Sequence, residues 1–282
     1  MKATIAMTLS SLMVSTLAMA EIRLTTYNPQ GSAIFPVTST VLEGKDDVIL
    51  FDAQFGIKEG QALVELIQQS NKPLKAIYIT GGDPDFYFGL EPIVKAYPQA
   101  EIYATQSVVD HINKTKQKKI EYWGPILADN APSQIYVPKI FAGDIQFDGE
   151  TIELKEAGTH QAYYWLASQK TILGGVAVSA GSHIWMADSP TENDRKAWIQ
   201  TMEAMIDLNP KRVIPGHYVG EEPKGIAALT FGRDYLRAYD GFVAQSKNSK
   251  ELVEKITKTY PQFEADDGLF IGAKVSMGEM KW

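Results

Sequence analysis

Residues 79–90 read ITGGDPDFYFGL. The stretch follows an apolar run, LKAIYI (74–79), that reads as a strand, and leads into a helix-like FGLEPIVKAY (88–97). Loops at strand ends that open onto helices are where sites tend to be built, because the scaffold holds them rigidly. This loop carries two carboxylates, Asp83 and Asp85, two glycines and an aromatic cluster. Taken singly, each carboxylate has a plain explanation. Asp83-Pro84 is a common turn opener, and Asp85 is placed to cap the helix that follows. The loop is a metal loop, a damaged metal loop or only a turn, and its surroundings have to decide which.

Working outward, the first half alternates strand and helix. IRLTTYNP and SAIFPVTSTVLEG read as strands, the second with β-branched residues at alternate positions. VILFDAQF is a buried strand ending in Asp52, and KEGQALVELIQQS is an amphipathic helix with Leu63, Leu66 and Ile67 on one face. After the opening loop come a helix to Tyr97, the strand EIYAT and a helix through SVVDHINKT. This rhythm implies strands covered by helices. The stretch EYWGPILADNAPSQIYVPKIFAGD, rich in Pro, Gly and aromatics, reads as a long surface loop of the kind that is often functional. Strand-like runs TIELKEA, QAYYWLAS, KTILGGVAV and HIWMAD follow. Thr191 then caps a helix, with Asp194 as its capping-box partner and Trp198, Met202, Met205 and Ile206 on the apolar face. KRVIPGH is a strand running into a Pro-Gly turn, and the C-terminal part is helical, with Tyr235, Tyr239, Phe242 and Val243 as a core stripe. No internal repeat or linker divides residues 21–282, so one domain is expected.

Composition narrows the functional classes. The 282 residues are 45% hydrophobic, enough for a sizeable core, and carry a formal charge of −7. An acidic chain without a basic stripe speaks against nucleic acid as partner. The one basic cluster, KTKQKK (114–119), reads as a solvated helix end. There is no cysteine, so disulfides and thiolate chemistry are excluded and a metal site must use His, Asp or Glu. Residues 1–20 combine Lys2, an apolar stretch and the small-x-small sequence Ala18-Met19-Ala20, the pattern of a cleaved secretory signal. A periplasmic or secreted protein is expected, without stable membrane insertion and with a small molecule as its substrate or ligand.

The four histidines are His111, His160, His183 and His217. His111 lies mid-helix and His183 in a strand-like run, so both read as structural. His160 (KEAGTH) and His217 (VIPGH) each follow a glycine-containing turn at a strand end, as Asp83 and Asp85 do. Four potential ligands at strand ends suit an oxygen/nitrogen metal site if those ends converge. No G-x-S-x-G elbow, P-loop or G-x-G-x-x-G after a strand offers a competing chemistry.

The order strand-Asp52, T-x-x-D-x-D loop, G-T-H, L-G-G, P-G-H resembles the metallo-β-lactamase superfamily over essentially all of residues 21–282. The resemblance implies an α+β fold, a four-layer αβ/βα sandwich, and a hydrolase-like site. It also exposes a departure. The family loop reads T-H-x-H-x-D-H, whereas this chain has Gly81, Asp83 and Phe86 where the histidines belong, and Gly175 where a bridging aspartate belongs. Asp85, His160 and His217 match ligand positions, and a carboxylate at the Asp83 position resembles the flavodiiron branch. A di-zinc centre of the usual kind is therefore not expected, since each ion would keep two protein ligands where catalytic zinc keeps about three.

Two readings follow. In the first, Asp83, Asp85, His160 and His217 hold a single zinc, iron or manganese ion. Asp85 then serves as general base, in a hydrolase acting on a small ester, lactone or amide. In the second, no metal binds. Gly81 and Gly175 leave space, Phe86 forms an apolar wall, and a catalytically inactive pseudo-hydrolase binds a small molecule in the old pocket. By fold analogy, Phe86, Tyr122 and Trp123 would contact the substrate in either case.

Overall fold

The computed structural model describes residues 22–156, 159 and 161–282. The expected signal segment, with its cleavage after Ala20, and His160 lie outside the described residues. In chain order the elements are β1 (Arg23–Tyr27), β2 (Ser39–Glu43), β3 (Val48–Phe51), α1 (Ile57–Gln68), β4 (Leu74–Ile79), α2 (Pro84–Tyr87), α3 (Leu90–Ala96), β5 (Glu101–Ala104) and α4 (Gln106–Leu127). Then come β6 (Lys139–Ile140), β7 (Ile145–Phe147), β8 (Glu150–Lys155), β9 (Tyr163–Leu166), β10 (Thr171–Leu173), β11 (Ser179–Ala180), α5 (Glu192–Asp207), β12 (Arg212–Ile214) and β13 (His217–Tyr218). Three helices end the chain: α6 (Ala227–Ala244), α7 (Ser249–Thr259) and α8 (Asp267–Ser276).

The strands form a six-stranded sheet ordered β1-β2-β3-β4-β5-β6 and a five-stranded sheet ordered β12-β10-β9-β8-β7, with β11 and β13 pairing separately. Period-two alternation assigns each side chain to a layer. On β3, Val48 and Leu50 face α1, α3 and α4, while Ile49 and Phe51 face the second sheet. On β9, Tyr164 and Leu166 face the first sheet, while Tyr163 and Trp165 face α5 and α6. The layers are therefore helices, sheet, sheet, helices: the expected αβ/βα sandwich. A further cluster of Trp198, Met202, Tyr235, Leu236, Leu252 and Leu269 joins the C-terminal helices. No helix among the described residues is long and apolar enough to cross a membrane.

The structure differs from the sequence reading in three places. The expected surface loop from Glu121 is helix as far as Leu127, because Ile120, Trp123 and Leu127 fall on the face of α4 that packs against the first core. Pro125 lies in the last turn, where it removes one backbone hydrogen bond that the apolar packing of the helix end offsets. The basic run 114–119 therefore lies inside α4 rather than at its end. The run HIWMAD forms no strand. Its Ile184 and Met186 instead pack among the C-terminal helices. The capping box at Thr191 is formed as expected, each partner's side chain bonding the other's backbone.

Candidate functional site

Strand ends on one edge of the two sheets carry the candidate residues. Asp52 follows β3 directly, in a left-handed conformation (φ +60°). It is fully buried and accepts a hydrogen bond from the Thr80 backbone N–H at 2.7 Å, and Thr80 Oγ1 lies 2.8 Å from its second oxygen. Burial pushes its carboxyl up to about 8, against the two Thr80 bonds that favour the ionised form, while the nearby Asp85 charge adds to the rise. Asp52 therefore clamps the β4 end to the β3 end and holds the loop that begins at Thr80.

In that loop Asp83 is the backbone N-cap of α2, Pro84 is the first helical residue, and Asp85 lies in the first turn. Asp85 Oδ2 is 2.6 Å from His217 Nε2. His217 arrives from the other sheet by way of the Pro215-Gly216 turn, which is fixed because the Gly216 N–H donates to the Gly175 and Val178 carbonyls at 3.1 and 3.0 Å. Thr159 accepts through its carbonyl from Ser107 Oγ of α4 at 3.0 Å. The structure thus brings Asp85 and His217 together across the sandwich.

The spaces expected at the glycines are filled. A Cβ on Gly81 would come within 2.6 Å of the Phe86 ring, so the two residues are complementary: the ring takes the volume a histidine side chain would need. Phe86 is 0% exposed and packs edge-on against His217, with ring centroids 5.2 Å apart. It supports the site from beneath and presents no surface to a ligand, contrary to the expectation of a substrate-contacting wall. Gly175 has φ +51°, and a Cβ there would meet Thr80 Oγ1 at 2.8 Å, so the hydroxyl bonded to Asp52 closes the bridging-aspartate position.

Asp83 faces α4. Its Oδ1 accepts a hydrogen bond from Lys119 Nζ at 3.4 Å and lies 3.7 Å from His111 Nε2, beyond hydrogen-bond distance. Burial raises the Asp83 carboxyl, but His111 and Lys119 together outweigh it and hold the group below its ordinary value. Asp188 interacts electrostatically with the same group. Burial and the Asp83 charge raise its carboxyl, against Lys119, the Trp185 hydrogen bond and His111. Its oxygens accept from Trp185 Nε1 and, at 3.1 Å, from Trp282 Nε1. Buried Arg195 anchors this segment by donating to the Ser189 and Pro190 carbonyls and to Asp240.

His111, Lys119, Asp188 and Trp282 are not singled out by the sequence as site residues. One signal was available: His111 and Lys119 are eight apart, on one stripe of a helix. That the stripe faces Asp83 depends on the path of α4. His183, expected to be structural, lies in the C-terminal core with Nδ1 3.1 Å from Tyr235 Oη, and burial lowers its pKa. Tyr122 is 56% exposed at the end of α4, while Trp123 packs edge-on against Phe35 and Phe55.

The described donors, among which His160 is not included, do not fit a metal ion. Among the described residues no three His, Asp or Glu side chains gather in a way that could hold one. Asp83 is turned toward a lysine cation, and the 2.6 Å approach of Asp85 and His217 is a direct hydrogen bond. It is shorter than the separation of two donors each about 2.0–2.2 Å from a shared zinc in tetrahedral geometry.

A family model for the metallo-beta-lactamase superfamily matches residues 33–217. The chain belongs to this superfamily. Solved structures show the same fold at low identity. A metallo-beta-lactamase family protein from Thermus thermophilus is 15% identical with a TM-score of 0.62, over 89% of this chain and 91% of that one. A metallo-beta-lactamase from Pontibacter korlensis is 16% identical with a TM-score of 0.53, over 77% of this chain and 99% of that one. DIM-1 metallo-beta-lactamase is 17% identical with a TM-score of 0.54, over 78% of this chain and 98% of that one. No curated protein matches. The superfamily commonly binds divalent metals, which sharpens the contrast with this chain's donor set.

Proposed function

We propose that this superfamily member is an exported pseudo-hydrolase that binds a small molecule without a metal. The observation that carries the reading is the Phe86 ring seated over Gly81 and against His217, which replaces ligand donors by a packed apolar side chain. The Asp85–His217 pair then supplies a fixed polar contact, and by fold analogy the exposed Tyr122 ring supplies apolar surface. A few oriented polar groups beside aromatic surface suit a small neutral or apolar ligand.

A second reading, a single-metal hydrolase of a small ester, lactone or amide using Asp83, Asp85, His160 and His217, is favoured by one observation. Two ligand-type side chains, one from α2 and one from β13, already meet, at 2.6 Å. It requires Asp83 to leave Lys119 and turn toward them.

Metal content separates the two. The mature protein, purified without chelator or affinity nickel and analysed by mass spectrometry, is expected to hold far less than one ion per chain, with or without a His160→Ala/His217→Ala substitution. About one ion per chain, lost in that variant, would overturn the metal-free reading and establish the second.

A further inference from the structure

We infer that Lys119 is a tethered cation that stands in for the charge of a metal at Asp83 and thereby excludes metal from the site. The inference rests on the metal-free reading and names the residue that enforces it. Asp83 occupies a ligand position in the loop after β4, yet its carboxylate is committed to an ammonium group from α4. The Lys119 side chain is only 17% exposed, so it does not behave as a member of a solvated basic run. Its Nζ also lies 5.1 Å from the centroid of the Trp282 ring, an arrangement that stabilises a cation. The indole Nε1 of Trp282 is in turn fixed by Asp188, which Trp185 also holds. The ammonium is therefore held by the Asp83 carboxylate and the face of the Trp282 ring, which is itself 44% exposed.

The electrostatic consequence is direct. A divalent ion drawn to Asp83 would meet a positive charge within a few ångströms, at a partly desolvated position where screening is weak. A flexible surface lysine would swing away at little cost. Lys119 cannot do so without leaving the Asp83 carboxylate and the Trp282 ring without their cation. The hydrogen bond that holds α4 over the loop is thus the same contact that keeps metal out.

The test is a zinc titration by calorimetry of the wild-type chain, Lys119→Met, Lys119→Gln and Lys119→Met/Asp83→Asn, with each variant's folding checked by its thermal transition. The inference expects zinc binding roughly tenfold or more tighter in the lysine variants than in wild type, and loss of that gain when Asp83 is also replaced. Folded lysine variants that bind zinc no better than wild type would overturn it. Tight stoichiometric zinc binding by the wild type would overturn the metal-free reading as well, so the two failures are distinguishable. A second measurement needs no lysine variant. The acetylation rate of Lys119 by an activated ester, followed by peptide mass spectrometry, should rise several-fold in Asp83→Asn, and an unchanged rate would contradict the pairing.

Discussion

Asp52 shows how much a single side chain settles in this molecule. It holds Thr80 through both carboxylate oxygens while wholly buried, and its pKa is raised to about 8. Because the folded value lies above the unfolded one, the native state binds the extra proton between about pH 4 and pH 8. Stability contributed by the neutral form is full at the acid end of that window and falls as pH rises through it, by on the order of a few kcal/mol. Asparagine reproduces the neutral acid's shape, can donate to Thr80 Oγ1, accepts from the Thr80 N–H, and tolerates a left-handed backbone. Asp52→Asn should therefore flatten the loss of stability between about pH 4 and pH 8 in urea unfolding. An unchanged slope would show that Asp52 is ionised in the fold. At the same scale, the sequence reveals that Gly81 lacks a ligand atom. It does not reveal that Phe86 fills the gap, because that depends on the turn of α2 and on the ring's rotamer, which no spacing rule encodes.

At the scale of elements, α4 decides what the site becomes. Thr105 caps its start by accepting from the Val108 N–H, and its 22 residues run past the point where Gly124 and Pro125 suggest a stop. Local propensity misreads this segment because tertiary burial overrides it: Trp123 and Leu127 continue the apolar stripe onto the first core. The long helix delivers His111 and Lys119 to Asp83. Trp123 anchors its end between Phe35 and Phe55, at 5.3 and 5.4 Å between ring centroids. Trp123→Ala should lower stability by about 2–3 kcal/mol, less than the roughly 3–5 kcal/mol of a fully buried ring, and the loss should appear in thermal and denaturant unfolding alike. A change within about ±0.5 kcal/mol would mean that the end of α4 is not held by this contact. The strands β3, β4 and β5 were legible because their apolar alternation matches their layer assignment. The run HIWMAD was not, since an apolar run of that length packs equally well against helices.

For the whole molecule, two sheets meet so that strand ends from both present side chains to one edge, and this geometry belongs to the superfamily. What differs is the use made of that edge. Phe86 takes the place of a histidine, Thr80 closes the position of the bridging carboxylate, Lys119 neutralises Asp83, and Asp85 bonds directly to His217. The spacing of Asp83, Asp85 and His217 made the fold and the edge legible from sequence. The pairing of those residues was not legible, since it is set by α4 and by a contact between Asp85 and His217, 132 positions apart. This edge is a packed centre in which Lys119 neutralises Asp83. An anomalous difference map at the zinc absorption edge, from crystals grown with excess zinc, looks at that centre without intermediaries. No peak is expected among Asp83, Asp85 and His217, with the Phe86 ring over Gly81 and Lys119 on Asp83. A strong peak bridging those side chains, with Lys119 displaced, would contradict a neutralised centre.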